Sequence, residues 1–267
     1  MSFAERYGPW AVIAGASEGT GRAFARKIAA AGVPCVLLAR RQEPLAALVA
    51  EIRAESGVEC VAASVDLAAA DALSRIVAAV GSRDVGLFVS NAGADPNGSH
   101  FLDLDIRAWL ELAQRSVMTT LQCCHHFAGP MRARGRGGLL LVNSGACYGG
   151  ASFMATYSAS KAFLLALGEG LWAELRPHGV DVLNLVLGQT DTPAFRKLLA
   201  EKGMPVPDSI ALPGEVAELG LQRLPHGPIQ NWGLDDAAAG YAAQSAAARR
   251  ERVLVIDKMS KRVFGDR

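Results

Sequence analysis

Short, nearly unbroken apolar runs alternate along this chain with longer stretches in which apolar residues recur at helical spacing. The runs Trp10–Ala14, Cys35–Ala39, Glu59–Ser64, Val85–Ser90, Gly138–Asn143 and Val180–Val186 predict buried strands. Between them, Gly19–Ala31, Glu43–Ser56, Ala69–Val80, Ile106–Arg134 and Thr156–Arg176 predict helices. Strands buried on both sides and separated by helices of this length imply right-handed βαβ crossovers. The predicted fold is therefore α/β: a single-domain, doubly wound Rossmann fold over residues 1–267, its parallel sheet of six or seven strands covered by helices on both faces. Two regions leave the rhythm. Thr190–Pro213, with four prolines, reads as a loop with a short helix and is a candidate substrate lid. Residues 228–267 form a divergent C-terminal segment that starts irregularly and then becomes Ala-rich and helical. Its end, Arg249–Arg262, carries six Lys/Arg against two acids and reads as a solvated helix face, with a membrane or partner contact as the alternative.

Composition narrows the classes. At 267 residues, 51% hydrophobic and 20% charged, the chain has ample material for a large core and is no polyelectrolyte. The net charge of +1, from 27 Lys+Arg against 26 Asp+Glu, points to neither nucleic acid nor an anionic surface. Cys35, Cys60, Cys123, Cys124 and Cys147 have no paired spacing and read as reduced core thiols. Neither a secretory leader nor an apolar stretch of membrane-spanning length is apparent, so a cytoplasmic protein is expected. His125 and His126 adjoin Cys123 and Cys124, but neighbouring positions diverge by about 100° on a helix. No metal site is expected there, and His100, His178 and His226 have no matching partners.

The first predicted strand runs directly into Ala14-Gly15-Ala16-Ser17-Glu18-Gly19-Thr20-Gly21. Glycines at 15, 19 and 21 allow a tight turn, a close backbone approach to a pyrophosphate, and close helix–sheet packing. The helix that follows offers free N–H groups and a positive dipole end. The second strand ends at Ala39-Arg40-Arg41, where an acid would favour NAD through the ribose hydroxyls. Two arginines there favour the 2′-phosphate of NADP instead, with ordinary surface arginines as the alternative. Tyr157 and Lys161 share a helix face at i, i+4, a spacing that lets an ammonium favour the phenolate and fit Tyr157 for proton transfer. Ser144 lies at the end of a buried strand thirteen residues before Tyr157, placed to hold a substrate oxygen.

With these motifs in order, residues 7–225 resemble a short-chain dehydrogenase/reductase. Asp66-Leu67, Ser90-Asn91-Ala92-Gly93 and Leu187-Gly188-Gln189-Thr190-Asp191-Thr192 extend the match. The resemblance implies that Ser17, Glu18, Thr20, Leu67, Ala92 and Thr190 line the cofactor site and that Asp66 contacts the adenine. It implies further that Asn91 supports the cleft, Lys161 bonds the nicotinamide ribose, Gly188 allows close passage and Thr192 holds the carboxamide. Taken singly, Asp66 and Thr192 also suit helix caps, and Asn91 and Gly93 suit turns. Ser116 stands where the family usually has an asparagine that holds a water of the proton relay, so it is either a shorter substitute or a bystander. Leu187 replaces a usual proline, and the family's frequent closing strand is not expected at the C-terminus. Ala146, Cys147, Tyr148, Phe153, Met154, Leu187, Gln189 and Phe195 are the candidate substrate-pocket residues, mostly apolar.

The implied activity is NADP(H)-dependent interconversion of a hydrophobic ketone or aldehyde with its alcohol, NAD(H) being possible. The rivals are an NAD-dependent alcohol dehydrogenase and a catalytically weak nucleotide sensor of the same fold. The expected partners are a small carbonyl or alcohol substrate and further copies of the chain, as a homodimer or homotetramer, with no nucleic acid.

Overall fold

The computed structural model describes residues 1–201, 203–233 and positions 247, 248, 250, 251 and 254. The Ala-rich stretch and basic end expected at the C-terminus therefore lie largely outside the described residues. The apolar runs form β1 Trp10–Ala14, β2 Cys35–Ala39, β3 Cys60–Ser64, β4 Val85–Ser90, β5 Gly137–Ser144 and β6 Val180–Leu187. A seventh strand, β7 Ile229–Trp232, pairs parallel with β6 from Asn184↔Ile229 to Leu187↔Trp232. That strand corrects the expectation of an irregular start to the C-terminal segment. Its sequence, Ile-Gln-Asn-Trp, has no alternation to reveal it, and it owes its extended form to pairing with the edge of β6.

The helices are α1 Phe3–Tyr7, α2 Gly19–Ala30, α3 Gln42–Ser56, α4 Ala72–Val80, α5 Ile106–Ala113, α6 Thr119–Arg134, α7 Ala155–Leu175, α8 Pro193–Glu201 and α9 Pro213–Arg223. The sheet order is β3-β2-β1-β4-β5-β6-β7, all parallel. This is the doubly wound arrangement, and its order reverses direction between β1 and β4. Successive strand residues point to opposite faces and build two cores. Ile13, Leu37, Val89 and Leu185 meet Phe24 and Ile28 of α2, Leu48 of α3 and Val216 of α9. Val12, Val36, Phe88 and Leu141 meet Ile76 of α4, Phe127 and Met131 of α6 and Trp172 of α7. All five cysteines are buried and none forms a disulfide. Among the described residues, no helix is long and apolar enough to cross a membrane.

The stretch predicted as one helix over Ile106–Arg134 is α5 and α6 joined by a π-helical turn, Gln114–Met118, with Ser116 at its centre. An inserted residue of this kind shifts the helix face without any Pro or Gly to announce it, and such turns recur at functional sites. Two buried asparagines tie α7 to the sheet. Asn143 Nδ2 donates to the Lys161 carbonyl at 3.1 Å and to Asn184 Oδ1 at 3.3 Å, and Asn184 Nδ2 donates to the Leu165 carbonyl at 3.2 Å. Gly168 permits this approach, since a Cβ there would lie 2.2 Å from Asn184 Nδ2.

Gly168→Ala is therefore expected to lift α7 off β6, destabilising the protein by about 1–3 kcal/mol in urea unfolding and lowering turnover through misplacement of Tyr157 and Lys161. An unchanged midpoint with unchanged turnover would show that the contact is soft.

Candidate active site

Ligands of open α/β sheets bind in the crevice at the carboxyl ends of the strands, where the order reverses. Here that crevice lies between the loops that leave β1 and β4. Gly15 turns off β1 with φ +86°, and a Cβ on it would sit 2.8 Å from the Ala92 nitrogen. Asn91 Nδ2 donates to the Gly15 carbonyl at 2.9 Å, bracing one loop against the other. Gly21 starts α2 so close to this turn that a Cβ would meet the Gly15 oxygen at 2.0 Å. Glu18, the N-cap of α2, makes no side-chain cap, so the N–H groups of the first turn stay available to an anion. Ser17 lies half-buried at this turn and Thr20 is buried just inside the helix. A dinucleotide phosphate fits this cradle: close backbone, free donors and a helix N-terminus.

The two arginines after β2 separate in role. Arg41 pairs with Glu18 across the mouth of the turn, which occupies both charges. Arg40 is exposed, its backbone carbonyl accepting from Ser64 Oγ at 2.8 Å, and its guanidinium has no acidic partner among the described residues. Asp66 Oδ1 accepts from the Ala68 nitrogen at 3.0 Å in a turn, whereas the N-cap position of α4 is Asp71, and the Asp66 side chain stays exposed at the same end of the sheet. The Leu67 side chain packs into the core and its carbonyl accepts from Thr119 Oγ1 at 2.8 Å, so only the backbone of Leu67 is available to a cofactor.

Across the crevice, Ser144 ends β5 and its Oγ accepts from the Ala146 nitrogen at 3.3 Å. The same hydroxyl faces the Tyr157 phenol and favours its ionised form, so the strand end and the first turn of α7 act on one another. Lys161 is buried at 4% exposure, its Nζ 5.6 Å from the Tyr157 ring centre and donating to the Val142 carbonyl at 3.1 Å. Burial depresses the Lys161 pKa to about 8. Burial also raises the Tyr157 pKa, and the Ser144 hydrogen bond works against that rise. Burial is the largest influence on this phenol, ahead of the Ser144 hydroxyl that favours its ionised form. The phenol holds its proton at neutral pH.

Gly93 carries the β4 loop directly past this cluster: a Cβ there would lie 3.2 Å from Ser116 Oγ and 3.4 Å from Lys161 Nζ. Ser116 is fully buried, and its hydroxyl has no hydrogen-bond partner among the described residues. Ser116 and Lys161 thus both line the passage of Gly93, and the orphaned Ser116 hydroxyl suits a bridging water.

The β6 loop closes the crevice. The Gly188 nitrogen donates to the Trp232 carbonyl at 2.9 Å, which makes β7 a support for this loop. Thr190 is buried with Oγ1 donating to the Gly188 carbonyl at 3.3 Å. Thr192 Oγ1 accepts from the Phe195 nitrogen at 3.2 Å, capping the start of α8, and its methyl lies 3.0 Å from where a Gly19 Cβ would be. The pocket candidates divide. Met154 and Gln189 are exposed, Phe195 and Ala146 half-buried. The Tyr148 hydroxyl donates to Asn231 Oδ1 at 2.6 Å, which turns its polar end towards β7. Asn143 and Asn184 were not singled out from sequence as positioning residues. The available signal was a polar side chain inside an otherwise apolar strand run.

The short chain dehydrogenase family model matches residues 9–203. A 7beta-hydroxysteroid dehydrogenase of Collinsella aerofaciens is 34% identical over 195 residues, covering 73% of this chain and 74% of the relative. A solved structure from a study of 7beta-hydroxysteroid dehydrogenase stereoselectivity superposes with TM-score 0.83 at 28% identity, over 95% of this chain and 99% of that one. A short-chain dehydrogenase from Sphingobium yanoikuyae, solved in complex with NADPH, superposes with TM-score 0.78 at 26% identity, over 92% and 95% of the two chains.

Because the folded-state pKa of Lys161 is depressed, the unfolded chain holds the extra proton between pH 8 and 10.5, and this group's contribution to stability rises with pH through that window. Lys161→Met removes the dependence. Its melting temperature relative to wild type is expected to be most favourable below pH 8 and to fall back towards pH 10.5. A difference that is flat with pH would mean that the amine is solvated.

Proposed function

The chain belongs to the short-chain dehydrogenase family, an oxidoreductase acting on hydroxyl and carbonyl groups, and from that premise we propose that it interconverts a bulky apolar ketone or aldehyde and its alcohol with NADP(H). The observation that carries this reading is the convergence of Ser144, Tyr157 and Lys161 beside the glycine cradle. When bound, a nicotinamide cofactor supplies or accepts the hydride. The residues of the chain do the rest. The turn of Gly15, Gly19 and Gly21 and the start of α2 would hold the pyrophosphate, with Asn91, Ala92 and Gly93 forming the opposite wall. Asp66 would face the adenine, Lys161 the nicotinamide ribose, and Thr190 and Thr192 the carboxamide end. In reduction, the Ser144 hydroxyl holds the carbonyl oxygen and Tyr157 delivers its proton to it. A phenol kept protonated by burial suits that direction. In oxidation the same oxygen takes the proton back. Lys161 holds positive charge beside the phenol as its proton leaves, and Ser116 holds a water that leads towards solvent.

The preference for NADP rests on the unpaired Arg40 beside a strand tip, Ala39, that lacks an acid, and on the relative that binds NADPH. The preference for a bulky apolar substrate draws support from the relatives that are hydroxysteroid dehydrogenases. It is also supported by the segment 190–213. The Asp191 nitrogen donates to the Ala211 carbonyl at 2.9 Å and the Ala211 nitrogen to the Gln189 carbonyl at 3.2 Å, so the two ends of this excursion are pinned together. Between them Leu198, Met204 and Val206 stay exposed, as suits a lid that closes on an apolar molecule. Self-association belongs to the same reading: Ile106 and Leu110 on α5 and Phe163 on α7 leave an apolar face uncovered.

The test is NADPH consumption across a panel of bulky ketones. Tyr157→Phe is expected to lower kcat by about 10²–10⁴-fold while NADPH still binds. Arg40→Ala is expected to raise KM for NADPH by about tenfold or more and to leave that for NADH little changed, through loss of one charge-assisted contact. A tenfold preference of the wild type for NADH would overturn the assignment of Arg40.

A further inference from the structure

The loop that leaves β4 carries a group that the reaction just described does not use. We infer that Asp95 is a second polar anchor in the substrate cleft, and that the substrate carries a hydroxyl in addition to the carbonyl or alcohol that reacts. The inference rests on the oxidoreductase reading and names the substrate class more narrowly.

The placement of Asp95 follows from two staples. At the first, Gly93 lies against Ser116 and Lys161, and Arg115 Nη2 of the π-helical turn donates to the Ala94 carbonyl at 3.1 Å. At the second, the His100 ring meets the Phe153 ring with centroids 4.0 Å apart. Phe153 holds φ +65°, a strained conformation for a bulky aromatic, four residues before Tyr157. Asp95 lies between the staples, on the stretch of loop that spans from the amine to the entrance of α7. Its charge is felt at both sides of the site: it pushes the Tyr157 phenol up and draws on the Arg115 guanidinium.

Its two oxygens differ. Oδ1 accepts from the Asn97 nitrogen at 2.9 Å, and Oδ2 is buried with no hydrogen-bond partner among the described residues. A carboxylate oxygen held from water without a donor is costly, and native structures rarely keep one without a use. Arg115 offsets the charge from a distance but makes its hydrogen bond to Ala94. A carboxylate accepts only, so the missing partner is a donor. A hydroxyl on an otherwise apolar framework meets this need. A carboxylate-bearing group placed here would be repelled.

The experiment compares ketones matched with and without a second hydroxyl, using NADPH and the full-length protein, for wild type and Asp95→Asn. The amide keeps the shape and the Oδ1 acceptor. Wild type is expected to favour the hydroxylated member of a pair by tenfold or more in kcat/KM, mostly through KM, and the variant to bring that ratio near one. The variant should also move the phenol limb of the pH–rate profile to lower pH, since one negative charge near Tyr157 is gone while Ser144, Cys147 and Lys161 still face it. NADPH affinity, read by fluorescence, separates a cofactor contact from a substrate contact. A wild type that turns over ketones but ignores the hydroxyl overturns the inference alone, as does a variant with an unchanged ratio or weakened NADPH binding. A wild type silent on every ketone overturns the oxidoreductase reading and this one with it.

Discussion

An amine held out of water at the carboxyl end of β5 is the constraint to which the rest of this structure answers. The Lys161 amine donates to the Val142 carbonyl, and burial costs its charged form heavily. A side chain in that position stays there only if its helix cannot move away. Asn143 and Asn184 meet that need by bonding the carbonyls of Lys161 and Leu165, and Gly168 lets α7 come close enough for those bonds to form. The same clamp sets the height of Tyr157 above the sheet, so the placement of Tyr157 and Lys161 and core packing are one problem on this face.

The opposite side of the crevice is built differently. There the backbone is the working surface, and side chains are kept away from it. Gly15 and Gly21 bring two loops and a helix start within contact distance, and Asn91 closes the gap with one amide. The charged groups sit at the rim. Glu18 pairs with Arg41, while Arg40 has no acidic partner among the described residues. A close-packed backbone floor with its charged groups at the rim suits a dinucleotide whose phosphates are met by N–H groups.

Between these halves runs the loop after β4. It passes Ser116 and Lys161 through Gly93, is held by Arg115 at Ala94, and reaches the segment before Tyr157 through His100 and Phe153. Arg115 and Ser116, adjacent in the π-helical turn, both meet this loop.

Much of this was legible along the chain. The strands β1, β2, β4 and β6, the glycine turn and the order Ser144, Tyr157, Lys161 are local patterns: burial on both faces, the tight turn after a strand and the pitch of a helix are each written in neighbouring residues. What those neighbours cannot carry is environment. That burial raises the Tyr157 pKa, that Glu18 neutralises Arg41, that Tyr148 turns to Asn231 and that β7 forms at all depend on groups distant in sequence. Pairing, burial and charge at such places are decided by what the fold packs around them, and only the tertiary structure brings those surroundings together.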